Sequence, residues 1–103
     1  VEIGENTVIA ELAGIAGSAK IGKNCRIGGQ VGIGGHCTLA DGTQVQAQSG
    51  VINNITKPDA KLGGSPHMHY PDYLRSYAVF KHLPSVVAKL KKEIAELRSQ
   101  IVK

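Results

Sequence analysis

The sequence predicts a mainly β chain: a parallel β-helix of about three coils over residues 1–56, a connecting loop at 57–70, and an α-helical tail at 71–103. Three observations predict it. Nine aliphatic residues stand six apart, at Ile3, Ile9, Ile15, Ile21, Ile27, Ile33, Leu39, Val45 and Val51. The next residue is small at Gly4, Ala10, Ala16, Gly22, Gly28, Gly34 and Ala40, with Gln46 and Ile52 as exceptions. Four residues after each aliphatic comes a second column, mostly small, at Thr7, Ala13, Ala19, Cys25, Val31, Cys37, Thr43, Ser49 and Ile55. A six-residue period matches neither a helix, at about 3.6, nor a strand, at about 2. It matches a chain that turns a corner every six residues and buries one aliphatic at each turn, as solenoids with hexapeptide repeats do.

Taken in order, the hexads come first. Three hexads make one triangular coil, so nine make three, a stack roughly 14 Å tall at the usual strand spacing. A narrow prism admits one large side chain per face, which explains the small columns. Glycine and Asn/Asp are expected at the corners, where positive φ is often needed. Composition agrees. Aromatic residues make up only 4%, tryptophan is absent and glycine numbers 13 of 103. Cys25 and Cys37 share the inward column twelve residues apart, which puts them on different faces. They read as small core residues with reduced thiols in a cytoplasmic protein, not as a disulfide. No apolar run is long enough to cross a membrane, and no signal peptide opens the chain. Val1 opens inside a repeat with no capping segment, so a segment of a longer protein, truncated at the amino-terminal end of its β-helix, is expected.

The period ends after Thr56. Lys57-Pro58-Asp59 and Leu62-Gly63-Gly64-Ser65-Pro66 are rich in breakers and read as the connecting loop. Pro71 suits a first helical turn, with Asp72 near the helix's positive end. Tyr73, Tyr77 and Phe80 fall on one face of that helix, a pattern of packing more often than of ligand binding. Pro84 breaks the tail into two helices. Beyond it Leu83, Val87, Leu90, Ile94, Leu97 and Ile101 step by 4, 3, 4, 3 and 4. That is an a/d seam, read either as a coiled coil between copies or as one helix lying on its own solenoid. Charge is uneven: residues 1–56 hold three basic against four acidic residues, and residues 57–103 hold nine against four. The basic tail is a solvated face, or an attractor for an acidic protein or an anionic membrane surface. Nucleic acid is not expected, because no aromatic platform alternates with the basic residues.

The hexads, the segment IGKNCRIGGQVGIGGH (Ile21–His36), the GGSP turn (Gly63–Pro66) and PDYLRSYAVFKHLP (Pro71–Pro84) carry a resemblance. Together they are similar to the carboxy-terminal part of the UDP-3-O-acylglucosamine N-acyltransferases of lipid A biosynthesis, and most to the version of the Bacteroides group. The resemblance covers essentially the whole chain. It implies a homotrimer of left-handed β-helices, an exception to the right-handed crossover rule. It also implies transfer of an (R)-3-hydroxyacyl group from acyl carrier protein to the 2-amine of UDP-3-O-acylglucosamine, in grooves between subunits. No cofactor or metal is implied beyond the acyl-phosphopantetheine that arrives on the carrier protein.

The mechanism needs a general base for the amine, a task that suits histidine, and donors for the thioester oxyanion. The resemblance places the base two residues before Val1, so the segment alone is expected to be inactive. His36 matches a second family histidine, an auxiliary that positions substrate or carrier arm. The plainer alternative is a corner histidine bonded to backbone. Gly14, Gly32, His36, Gln48 and Gly50 are the implied substrate-binding residues, the glycines letting the acyl-pantetheine arm approach backbone. Gly50 falls at the family's acyl-length determinant, where a missing side chain implies room for a longer chain. Arg75 and Lys81 are the expected carrier-protein contacts. The alternatives are the pathway's UDP-N-acetylglucosamine O-acyltransferase and a non-catalytic trimeric hexapeptide scaffold.

Overall fold

A computed structural model describes residues 1–102. The chain forms two compact units, Val1–Tyr73 and a second from Leu74 onward. In the first, nine two-residue strands follow at six-residue steps: β1 (Glu2–Ile3), β2 (Val8–Ile9), β3 (Gly14–Ile15), β4 (Lys20–Ile21), β5 (Arg26–Ile27), β6 (Gly32–Ile33), β7 (Thr38–Leu39), β8 (Gln44–Val45) and β9 (Gly50–Val51). Each of β1 to β6 pairs in parallel with the strand three places on, so Ile3 lies on Ile21 and Ile21 on Leu39. The other two faces stack likewise, as β2-β5-β8 and β3-β6-β9. This is the predicted β-solenoid.

The aliphatic ladder is its core. Ile21, Ile27, Ile33, Leu39, Val45 and Val51 are each 3% exposed or less, whereas Ile3, in the first coil, is 51% exposed. The difference is one of neighbours: only an inner rung has a coil on both sides. The second column also points inward, with Ala19, Cys25, Val31, Cys37, Thr43 and Ser49 buried. Both cysteines are free and buried. The Cys25 thiol donates to the Ala40 carbonyl at 3.4 Å. Thr7 Oγ1 donates to the Gly22 carbonyl at 2.7 Å and accepts from the Cys25 amide at 3.1 Å. Thr43 Oγ1 donates to the Ala40 carbonyl at 2.7 Å.

The corners differ from expectation. Positive φ recurs every six residues, at Asn6, Leu12, Ser18, Asn24, Gln30, His36, Gly42 and Gln48. Only Gly42 is a glycine, and Leu12, Ser18, Gln30, His36 and Gln48 are neither Gly nor Asn/Asp. A left-handed residue with a Cβ costs about 1–2 kcal/mol. Backbone bonds between coils offset it: the Gln30 amide donates to Glu11 O at 3.0 Å and the Gln48 amide to Gly29 O at 2.9 Å. The glycines that follow the aliphatics have another role, close approach between coils. A Cβ on Gly28 would lie 2.6 Å from the Ala47 amide nitrogen.

The segment expected as a plain loop at 57–70 contains a partial fourth coil. Ile55 bridges Leu39. Asp59 turns a further corner at φ 60° and donates its amide to Asp41 O at 2.9 Å. Strand β10 (Lys61–Gly63) then pairs in parallel with β8, Leu62 against Val45, and β11 (Met68–His69) folds back antiparallel on β10. Leu62, 1% exposed, supplies the rung's core residue. Its burial outweighs the breakers around it.

Helix α1 runs Tyr70–Lys81, one residue earlier than Pro71 suggests, with Tyr70 and Tyr73 stacked at 6.4 Å. In the second unit α2 spans Leu83–Ile101 with Pro84 in its first turn, where the missing N–H costs nothing. Leu83, Val87, Leu90, Ile94, Leu97 and Ile101 are all exposed, between 39% and 81%. Among the described residues no helix is long and apolar enough to cross a membrane.

Candidate functional site: a bare backbone trough

The three faces of the solenoid differ in what they show outward. Alternation along a strand places one side chain in and the next out. On the β1-β4-β7 face the outward column is Glu2, Lys20 and Thr38, with Lys20 Nζ 4.0 Å from Glu2 Oε2. On the β2-β5-β8-β10 face it is Val8, Arg26, Gln44 and Lys61. On the third it is Gly14, Gly32 and Gly50, in register. That face is an open apolar trough lined by these glycines with Ala16, Gly34 and Ile52. A Cβ on Gly14 or Gly32 would meet nothing within 4 Å. Gly14 and Gly32 are therefore not demanded by packing within the chain. They expose peptide backbone to whatever lies along the face.

Two corner columns bound the trough. One carries Leu12, Gln30 and Gln48, and Gln48 Nε2 donates to Gln30 Oε1 at 2.9 Å. The other carries Ser18 and His36. His36 is exposed, sits at φ 61°, and donates its amide to Gly17 O at 3.2 Å. The backbone of this corner is thus fixed while the imidazole faces solvent. Gly14, Gly32, Gln48 and Gly50 come together on one face with His36 at its edge. Arg75 and Lys81 stand on α1 in the second unit, with Lys81 Nζ 5.3 Å from the centroid of the Tyr77 ring.

One residue at this face escaped the sequence reading. Ser65 projects over Gly50, its Oγ 2.9 Å from where a Gly50 Cβ would begin. The space implied by the absent Gly50 side chain is taken by a side chain from the next rung. No six-residue period points to it, because the register shifts after Val51: Ile55 bridges Leu39, not a residue eighteen positions back. Beside it His67 donates its amide to Gly50 O at 2.8 Å, while its ring Nδ1 is buried without a hydrogen-bond partner.

Comparison with known proteins fits this architecture. The family model described as bacterial transferase hexapeptide (six repeats) matches residues 1–35 and 18–53. A UDP-3-O-acylglucosamine N-acyltransferase of Christiangramia forsetii is 56% identical over 97 residues, 91% of this chain and 28% of that protein. Proteins of the same name from Rickettsia akari and Cytophaga hutchinsonii are 50% and 46% identical, over 89% and 97% of this chain. The chain spans about 28% of the length of these relatives. A solved hexapeptide transferase family protein from Anaplasma phagocytophilum shares the fold, with a TM-score of 0.51 at 22% identity over 67% of this chain and 53% of its own. With its hexad ladder in register and a family model matched over its first half, the chain belongs to the bacterial hexapeptide transferases.

Proposed function

We propose that this chain is the carboxy-terminal part of an acyltransferase that moves an (R)-3-hydroxyacyl group from acyl carrier protein to the 2-amine of UDP-3-O-acylglucosamine. The observation that carries the reading is the 56% identity to a protein of that name across a segment that includes the bare trough. The amine nitrogen attacks the thioester carbonyl, a C–N bond forms and the C–S bond breaks. The amine proton passes to a base and then to the departing thiolate. A histidine suits the role of that base, and the face described above supplies binding surface for the acyl arm. Gly14, Gly32 and Gly50 let the thin acyl-pantetheine arm lie against backbone. Gln48 borders it, and His36 is an auxiliary residue that positions the arm or the sugar nucleotide. The chemistry calls on no cofactor beyond the carrier's own prosthetic arm.

The exposed seam of α2 supports association into a homotrimer, the oligomer that would pair each trough with a neighbour. The basic second unit supports docking of an acidic carrier protein, with Arg75 and Lys81 as contacts, and the reaction belongs to the cytoplasm. The test is the full-length gene product incubated with 3-hydroxyacyl carrier protein and UDP-3-O-acylglucosamine. Mass spectrometry should show an amide-linked second acyl chain. Acylation of a UDP-N-acetylglucosamine hydroxyl instead would identify an O-acyltransferase. No product from a correctly assembled oligomer would leave a scaffold.

A further inference from the structure

The outward column of the bare face does not end at Gly50. The turn carrying Ser65 is tied to that residue on both sides. The Gly50 amide donates to Gly64 O at 3.0 Å, and the His67 amide donates to Gly50 O at 2.8 Å. The first bond repeats the pattern above it, where Gly14 donates to Val31 O and Gly32 to Ser49 O. Ser65 therefore takes the fourth place in the column, after Gly14, Gly32 and Gly50. It is the first member with a side chain.

The backbone that carries this exposed side chain is held on its other side. A Cβ on Gly63 would lie 3.1 Å from Tyr70 Cδ1, and one on Gly64 3.0 Å from Tyr73 Cδ2, so the two stacked tyrosines back the turn closely. Gly63 itself belongs to β10, which is paired on one side with β8 and on the other with β11. The trough is thus bare for two rungs and covered at the third by Ser65 Oγ and Cβ, 2.9 and 3.6 Å from the Gly50 Cβ position.

We propose that Ser65 is the end stop of the trough and a specificity-determining residue, setting how long an acyl chain can lie along the glycine column. This rests on the acyl-transfer reading above. A linear chain running down the column meets a mostly apolar face of bare glycine backbone until it reaches a hydroxymethyl group. Further methylenes must leave the face or displace it. One methylene that fits or fails to fit an apolar site changes selection by roughly 10- to 200-fold.

The test uses the full-length gene product as wild type, Ser65→Gly and Ser65→Leu. Each competes for carrier protein loaded with equal amounts of two 3-hydroxyacyl chains that differ by two methylenes, and mass spectrometry reads the product ratio. Ser65→Gly should raise the long-to-short ratio about tenfold and Ser65→Leu should lower it about as much. The glycine variant only removes atoms, so it folds even where leucine does not, and its result decides. An active Ser65→Gly enzyme with an unmoved or lowered ratio overturns the role of Ser65 and leaves acyl transfer standing. A wild type that acylates nothing overturns acyl transfer itself, and Ser65's role with it.

Discussion

A side chain on Gly28 would begin 2.6 Å from the amide nitrogen of Ala47, while one on Gly32, a strand further on, would touch nothing within 4 Å. The same substitution should therefore report two different things. Gly28→Ala forces coils apart and should cost about 1–3 kcal/mol in urea unfolding. Gly32→Ala should change stability by less than about 0.5 kcal/mol. It fills the trough, however, and under the proposed acyl transfer should raise KM for the acyl carrier substrate about tenfold in the full-length gene product. Equal stability losses in the two variants would contradict the distinction.

His36 offers a clean separation of side chain from backbone. Its φ of 61° suits glycine better than histidine. His36→Gly should keep or raise the stability read from thermal unfolding, by up to about 1 kcal/mol. If the imidazole positions substrate, the same variant should lose at least about tenfold in kcat/KM. Full activity in a folded His36→Gly enzyme would return this residue to a corner role.

Two hydroxyls in the inward column make opposite predictions. Ser49 Oγ is buried with no partner, whereas Thr43 Oγ1 donates to Ala40 O at 2.7 Å. Ser49→Ala removes an unsatisfied polar group and should be neutral or stabilising by about 1 kcal/mol. Thr43→Val removes a made bond and leaves the Ala40 carbonyl to the Cys25 thiol, a weaker donor, so it should destabilise by about 1 kcal/mol. Denaturant midpoints of the two variants against the parent decide it.

The α2 seam is apolar, exposed and spaced for a coiled coil. Leu90→Asp with Ile94→Asp places two carboxylates in that seam. Sedimentation of the full-length protein should show the proposed trimer give way to smaller species, with the helix content of the parent retained or reduced. An assembly of unchanged mass would mean that this seam does not hold copies together.

The three coils were legible because every rung repeats the same steric demand, one aliphatic inside and one small neighbour. Leu12 and Gln30 show what was not legible. Neither residue prefers positive φ; the closure of the triangle imposes it, and at Gln30 an amide bond to Glu11 O in the preceding coil adds to it. The fourth partial coil was hidden by a register change: Leu62 pairs with Val45, seventeen positions back, where the coils above keep eighteen. Pro58 and the Gly63-Gly64 pair then read as breakers. The glycine column could be counted from sequence, since Gly14, Gly32 and Gly50 recur at one coil's spacing. Ser65 could not, because a backbone pairing between Gly50 and Gly64 puts it there.

The constant spacing of the ladder also bears on how the molecule is assembled. Every parallel pairing from β1 to β9 joins strands separated by the same length of chain, so each new turn closes a loop of the same size and similar entropic cost. No single long-range contact has to form first. A middle coil can close and neighbours wind on in either direction, as in other quasi-one-dimensional proteins. Amide exchange should accordingly be graded, slowest around Ile27 and Ile33 and fastest at the turn holding Ile3, whose rung is stacked on one side only.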